Sequence, residues 1–294
     1  MTFKVYSSMS KHKQLYKILL CSPREGSGGI SMWTHNILEY YNNIMSSDVS
    51  LKWKYATLHK REVLADTSIL ARFYYGLRNY IPFLRMLRTE LKHGRFDLVH
   101  FSSSASISLI KDLLSIKIAH RYGTKAVMHF HFGRIPQFLE QNNWEAKLLR
   151  KVLNLADGII VLDEKSYNAL KAQGYKKIYK LPNPLSPTIQ TLILNSSHIQ
   201  RRNSEILFVG HIVESKGIEE LLMALDGFDN ITLNVIGKGS SVYIDELKNK
   251  YSSSCNVNFL GVQPINNVIM NMMSCSVFVL PTYTEGFPNV IIES

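Results

Sequence analysis

The chain has 294 residues, of which 46% are hydrophobic and 11% aromatic, and a formal net charge of +11. That length suits two domains better than one core, and the apolar content excludes wholesale disorder. No run approaches the ~18 uninterrupted apolar residues of a membrane-spanning helix, and three distant cysteines, Cys21, Cys255 and Cys275, give neither a disulfide framework nor a zinc spacing.

These properties predict a soluble or membrane-peripheral protein of a reducing cytoplasm. Lys11, Lys13 and Lys17 lead only into the short apolar run Ile18–Cys21, with no small-residue cleavage site behind it, so no signal peptide is expected. Charge is unevenly spread. Residues 1–185 hold 28 Lys and Arg against 13 Asp and Glu, whereas 186–294 hold 6 against 10. The first part therefore expects an anionic partner or presents a solvated basic surface.

In chain order, short β-rich runs alternate with helical patterns, which predicts α/β domains with parallel sheets. Strands are expected at Lys17–Ser22, Leu51–Leu58, Asp97–Ser102, Lys125–His131, Gly158–Asp163 and Lys177–Leu181. Helical patterns fall between them, including Ile30–Asn43, Ala105–Arg121 and Trp144–Leu155. A domain over 1–185 is followed by a linker over 186–203, because Pro182, Pro184 and Pro187 cannot continue a helix or a sheet. A second series occupies 204–294, with strands at Glu205–Val209, Thr232–Ile236, Val257–Leu260 and Val277–Leu280 and helices near Ile218–Leu225, Val242–Tyr251 and Ile265–Met273. Four parallel strands leave an exposed edge, so this domain is expected to be incomplete at its C-terminal side.

Several segments carry chemistry. Ser22–Ile30 is a glycine-rich turn, containing Gly28 and Gly29, that leads into a helix; it lacks the spacing of a dinucleotide fingerprint or a P-loop. Between Arg72 and Arg95 lie Arg78, Arg85, Arg88 and Lys92, with one acid, Glu90, beside an apolar stripe at helical spacing in which Pro82 sets a start or a kink. Such a flank suits an anionic bilayer or the solvated edge of a core-facing helix. Nucleic acid is not expected, since no recognised module accompanies the charge.

In Val127–Gly133 period-two geometry puts His129 and His131 on one face. They read as active-site or hydrogen-bonded core histidines. A metal is not expected, because no Asp, Glu or Cys stands beside them at supporting spacing. Ile206–Ile218 places a turn with Gly210 and His211 after a strand, then Lys216-Gly217 before a helix, where a lysine and backbone N–H groups can neutralise a diphosphate. Gly237-Lys238-Gly239 follows the next strand. In Val277–Glu293 a strand leads through Glu285, Gly286, Phe287, Pro288 and Asn289 into a helix carrying Glu293. Ligands of open parallel sheets sit just outside the carboxyl ends of strands, where this loop lies.

Two glutamates with seven residues between them, and with Gly-Phe-Pro after the first, resemble the E-x7-E signature of the retaining family 4 (group 1) GT-B glycosyltransferases. The segments around Lys216 and His131 and the Gly28-Gly29 loop are similar to further segments of that family, over nearly the whole chain. The resemblance implies two Rossmann-like domains facing a cleft, with the second incomplete. It also implies transfer of a sugar from a UDP-, GDP- or similar nucleotide sugar, with retention and without metal or cofactor.

On this pattern Glu285 and His131 face the donor sugar, and Glu293 binds the nucleotide ribose. Lys216 and His211 hold the diphosphate, with Gly28, Gly29, Gly210, Gly237, Gly286, Phe287, Pro288 and Asn289 lining the donor. The chain departs from the family at His211, where arginine is usual; histidine titrates near ~6.5 and makes one bond where arginine makes two. The basic first domain fits a lipid-linked saccharide acceptor, as in bacterial surface-polysaccharide assembly on the inner face of the membrane. A non-hydrolysing sugar-nucleotide epimerase shares the architecture, and a nucleotide-sugar-binding pseudoenzyme or inactive fragment is the reading from another class.

Overall fold

A computed structural model of the chain describes residues 15–25, 28–44, 48–56, 69–196, 199–251, 256–283 and 288–294. The described residues form two compact units. The first takes those up to His131 together with Gln137–Val161 and Tyr167–Lys180; the second takes Phe132–Pro136, Leu162–Ser166 and those from Leu181 onward.

The first series runs β1 (Tyr16–Cys21), α1 (Gly29–Ile44), β2 (Val49–Trp53), α2 (Ile69–His93), β3 (Leu98–Ser103) and α3 (Ser108–Arg121). It continues with β4 (Lys125–Phe130), α4 (Ile135–Glu140), α5 (Trp144–Leu155), β5 (Gly158–Val161), α6 (Glu164–Ala172) and β6 (Ile178–Lys180). All six strands pair in parallel, in the order β2-β1-β3-β4-β5-β6. Consecutive positions such as Leu19, Leu20 and Cys21 are all buried. Apolar residues therefore face both ways from the sheet, as a sheet covered on both sides requires.

Three elements differ from the sequence pattern. The helix expected from Ala105 begins at Ser108, because Ala105 and Ser106 have φ of 61° and 58°. Both lie in the left-handed region, which a right-handed helix cannot include. Pro82 lies inside one continuous 25-residue helix, α2. The strand expected over Leu51–Leu58 is instead Val49–Trp53, and Leu58 itself lies outside the described residues.

The second series comprises α7 (Pro187–Asn195), β7 (Glu205–Val209), a 3₁₀ turn (Glu214–Lys216), α8 (Ile218–Ala224), β8 (Thr232–Ile236) and α9 (Ser241–Lys250). It ends with β9 (Asn256–Gly261), α10 (Ile265–Ser274), β10 (Val277–Phe278) and α11 (Asn289–Glu293). Its parallel sheet has the order β10-β7-β8-β9. Alternation in β7 sends Phe208 into a core with Ile218, Leu222 and Leu247. Leu207 goes into another with Ile189, Ile269 and Met272. Within 186–203, which the proline and polar runs mark as a linker, α7 thus supplies a core residue. Ser186 caps it by accepting the Ile189 N–H, and Pro187 stands where a missing N–H costs nothing. Among the described residues no helix is long and apolar enough to cross a membrane.

Candidate functional site

In the first unit the site is built at the carboxyl ends of β3 and β4. These strands are in register, with Ser102 beside His129, and the His131 N–H donates to the Ser103 carbonyl at 2.9 Å. Pleating puts His100 and Ser102 of β3 on the same face as His129 and His131. Trp33, one turn into α1 from Gly29, covers that face. Its ring lies 5.2, 4.9 and 5.1 Å, centroid to centroid, from those of His100, His129 and His131.

The His129 and His131 rings are 4.0 Å apart at 33°. His100 Nε2 and His129 Nδ1 share a hydrogen bond of 3.3 Å. Burial holds all three imidazoles neutral at pH 7. His100 is pushed down to about 4 by desolvation, and His131 to about 3 by desolvation and then by His100. His129 falls well below its ordinary value through desolvation, His131 and His100.

Five buried polar atoms here, Trp33 Nε1, Ser102 Oγ, His129 Nε2 and both ring nitrogens of His131, make no hydrogen bond among the described residues. Unmet buried polar groups of this kind cost about 1–3 kcal/mol each, and five are concentrated here. Among the described residues no group of three His, Cys, Asp or Glu side chains has the geometry to hold a metal ion. Behind the sheet, Ser103 Oγ donates to Asp112 at 2.5 Å and accepts the Ala105 N–H, and Asp112 pairs with buried Lys111 at 2.6 Å. This pair fixes the left-handed turn that ends β3. Trp33 and His100 carry no sequence motif; the adjacency of β3 and β4 brings His100 to His131, and the packing of α1 brings Trp33.

In the second unit the turns after β7 and β8 lie against each other. The Gly210 N–H donates to the Ile236 carbonyl at 3.0 Å, and the Ile212 N–H to the Lys238 carbonyl at 2.9 Å. A Cβ on Gly237, whose φ is 154°, would stand 1.7 Å from the Gly210 carbonyl oxygen. Glycine is required there by contact as well as by conformation. His211 is exposed between these turns.

Lys216 closes the 3₁₀ turn, and Gly217, with φ of 71°, opens α8. A Cβ on Gly217 would meet the Pro281 carbonyl oxygen at 2.1 Å. The Tyr283 N–H donates to the Ser215 carbonyl at 3.2 Å, and the Tyr283 hydroxyl to Glu220. The strand-end segment Pro281–Tyr283 is thereby seated on the turn that carries Lys216. Glu285, Gly286 and Phe287 lie outside the described residues. Beyond them Pro288 precedes α11, Asn289 Oδ1 accepts from Asn183 at 2.7 Å, and half-buried Glu293 has its carboxyl raised by desolvation. Gly28 and Gly29 lie in the first unit, and Gly210, His211, Lys216, Gly237, Pro288, Asn289 and Glu293 in the second.

Two family models match successive parts of the chain. The family described as Glycosyltransferase Family 4 matches residues 47–188, and that described as Glycosyl transferases group 1 matches residues 190–294. An uncharacterized 41.2 kDa protein of the cps region of Klebsiella pneumoniae is 20% identical over 291 residues, 91% of this chain and 75% of that one. The capsular polysaccharide biosynthesis glycosyltransferase CapM of Staphylococcus aureus is 36% identical over 98 residues, 31% of this chain and 25% of its own. Among solved structures, Anabaena HepE in complex with UDP and glucose superposes with a TM-score of 0.60 at 16% identity, covering 95% of this chain and 77% of that one. That last likeness is one of fold.

Proposed function

We propose a specific reaction for this chain, which belongs to the family 4, group 1 glycosyltransferases and has their GT-B fold. It transfers a sugar from a nucleotide-diphosphate donor to a lipid-linked saccharide, with retention of configuration and without a metal, in the assembly of a bacterial surface polysaccharide. The observation that supports this most is the set of unmet buried polar atoms around His131. A polyhydroxylated sugar supplies the donors and acceptors they lack.

In chemical terms the bond between the anomeric carbon and the diphosphate oxygen breaks, and its electron pair leaves on the diphosphate. Lys216 and the backbone N–H groups beside it offset that charge. The acceptor hydroxyl oxygen bonds to the anomeric carbon, and its proton passes to the departing phosphate oxygen. The sugar gains positive charge as this happens. An imidazole neutral at pH 7, as burial makes His131, can hold a sugar hydroxyl without opposing that charge. The resemblance assigns Glu285 to the sugar and Glu293 to the ribose.

UDP serves as the first donor nucleotide to try, because HepE binds it. The test incubates the protein with UDP- and GDP-sugars and a lipid-diphosphate-linked saccharide, then follows the acceptor mass. Gain of one sugar supports the reading. A free epimerised nucleotide sugar identifies an epimerase, and donor binding without transfer identifies a binding protein; either result overturns it.

A further inference from the structure

The geometry points to a docking surface for anionic bilayers in the groove between α2 and α3. The groove has a volume of about 550 Å³, with Leu84, Leu114 and Ile118 along it and Arg88, Lys117 and Arg121 at its rim. Tyr122 completes the lining. The sequence stripe on α2 supplies Leu84 and Arg88 to this surface. From α3 come Leu114, Lys117 and Arg121, which recur at helical spacing and face the same way.

Two features separate this surface from an ordinary solvated edge. The first is uncompensated charge. Glu90, the one acid of the 78–95 stretch, reaches Lys52 at 2.6 Å and Lys54 at 3.7 Å, and Asp112 of α3 is buried against Lys111. Among the described residues no carboxylate pairs with Arg88, Lys117 or Arg121. The second is exposed apolar surface beside those cations: Ile81 is 52% exposed, Leu114 41% and Tyr122 40%. Apolar tips next to unpaired cations suit the headgroup boundary of a bilayer, where the tips enter the acyl edge and the cations hold lipid phosphates. A soluble anion would use the cations but leave the apolar tips in water.

The inference rests on the proposed lipid-linked acceptor for its purpose, since docking would hold the protein where that acceptor lies. Its evidence is confined to the first unit. The protein is sedimented with vesicles of phosphatidylcholine alone and with vesicles also containing about one-third phosphatidylglycerol. Each cation near an anionic surface contributes roughly a fivefold factor, so Arg88→Gln/Lys117→Gln/Arg121→Gln lowers the partition coefficient on anionic vesicles by about 100-fold. A control, Lys147→Gln/Lys151→Gln/Lys171→Gln, removes equal charge from α5 and α6 and leaves partitioning within about fivefold, the one-charge scale of that surface.

Leu114→Ser/Tyr122→Ser removes the part of binding that survives added salt. Equal loss in both triple variants, equal binding to neutral vesicles, or displacement by millimolar inorganic phosphate would each overturn the docking surface. Donor-nucleotide affinity, measured on the same samples, stays unchanged in the triple variants. A failure of docking is thereby distinguished from a failure of the transferase reading.

Discussion

The imidazole rings of His129 and His131 stack 4.0 Å apart beneath Trp33, and neither nitrogen of His131 has a hydrogen-bond partner among the described residues. Two aromatic rings this close in a buried site are held by packing, and the His131 polarity adds nothing to it.

Stability and activity should therefore oppose each other at His131. His131→Phe keeps the ring and its packing but removes two unmet polar atoms, so it should raise the free energy of unfolding by about 1–2 kcal/mol. The same variant should transfer sugar about 10²-fold more slowly, the scale of losing one positioned group at a reacting centre. Urea denaturation and a transfer assay on one preparation check both.

The three histidines also fix a pH dependence. In the unfolded chain each titrates near ~6.5, whereas in the folded protein His100 and His131 titrate at about 4 and about 3 and His129 is shifted in the same direction. Between those values the unfolded state binds more protons. Stability is thus fully present above the unfolded value and is lost as pH falls from there toward 4. The slope reaches about 1.4 kcal/mol per pH unit for each histidine. Urea midpoints measured from pH 7 to 4.5 should fall steeply, and His131→Phe should remove about one-third of the slope; a flat profile would show that the rings are not buried neutral.

Behind the sheet, the Lys111–Asp112 pair is inaccessible to water. Asp112→Ala leaves a buried ammonium without its partner and should cost about 3–5 kcal/mol. Substituting both residues by Met and Leu should recover most of that loss. Thermal unfolding of the single and double variants decides the point.

Gly237→Ala is expected to lower stability by about 2–4 kcal/mol, because the added carbon runs into the Gly210 carbonyl. The two turns would be forced apart, and nucleotide affinity should fall with stability. Gly227→Ala is the comparison: φ there is 85° but nothing stands within 4 Å, so its cost should be strain alone, about 1 kcal/mol. Urea midpoints and calorimetric nucleotide titration of both variants measure the difference.

Much of this was legible in residue order. Buried parallel strands show as apolar runs, and glycine turns after β7 and β8 show where the backbone closes. The loop from Glu285 carries its family in its own residues. What stayed hidden depends on neighbours distant in sequence. His100 gains meaning only because β3 lies beside β4, and Trp33 only because α1 covers that face. Pro187 reads as a breaker, yet at a helix start its missing N–H is no loss. The left-handed pair Ala105–Ser106 gives no signal at all, since its support comes from Ser103 and, through it, Asp112.

The central claim is that Lys216 offsets the charge of a departing nucleoside diphosphate. It is tested most directly by nucleotide release from a working donor, with acceptor present, in wild type and Lys216→Ala at matched folded fractions. Loss of such an electrostatic contact should lower kcat/KM about 10²–10³-fold. Equal release from the two proteins would contradict the account.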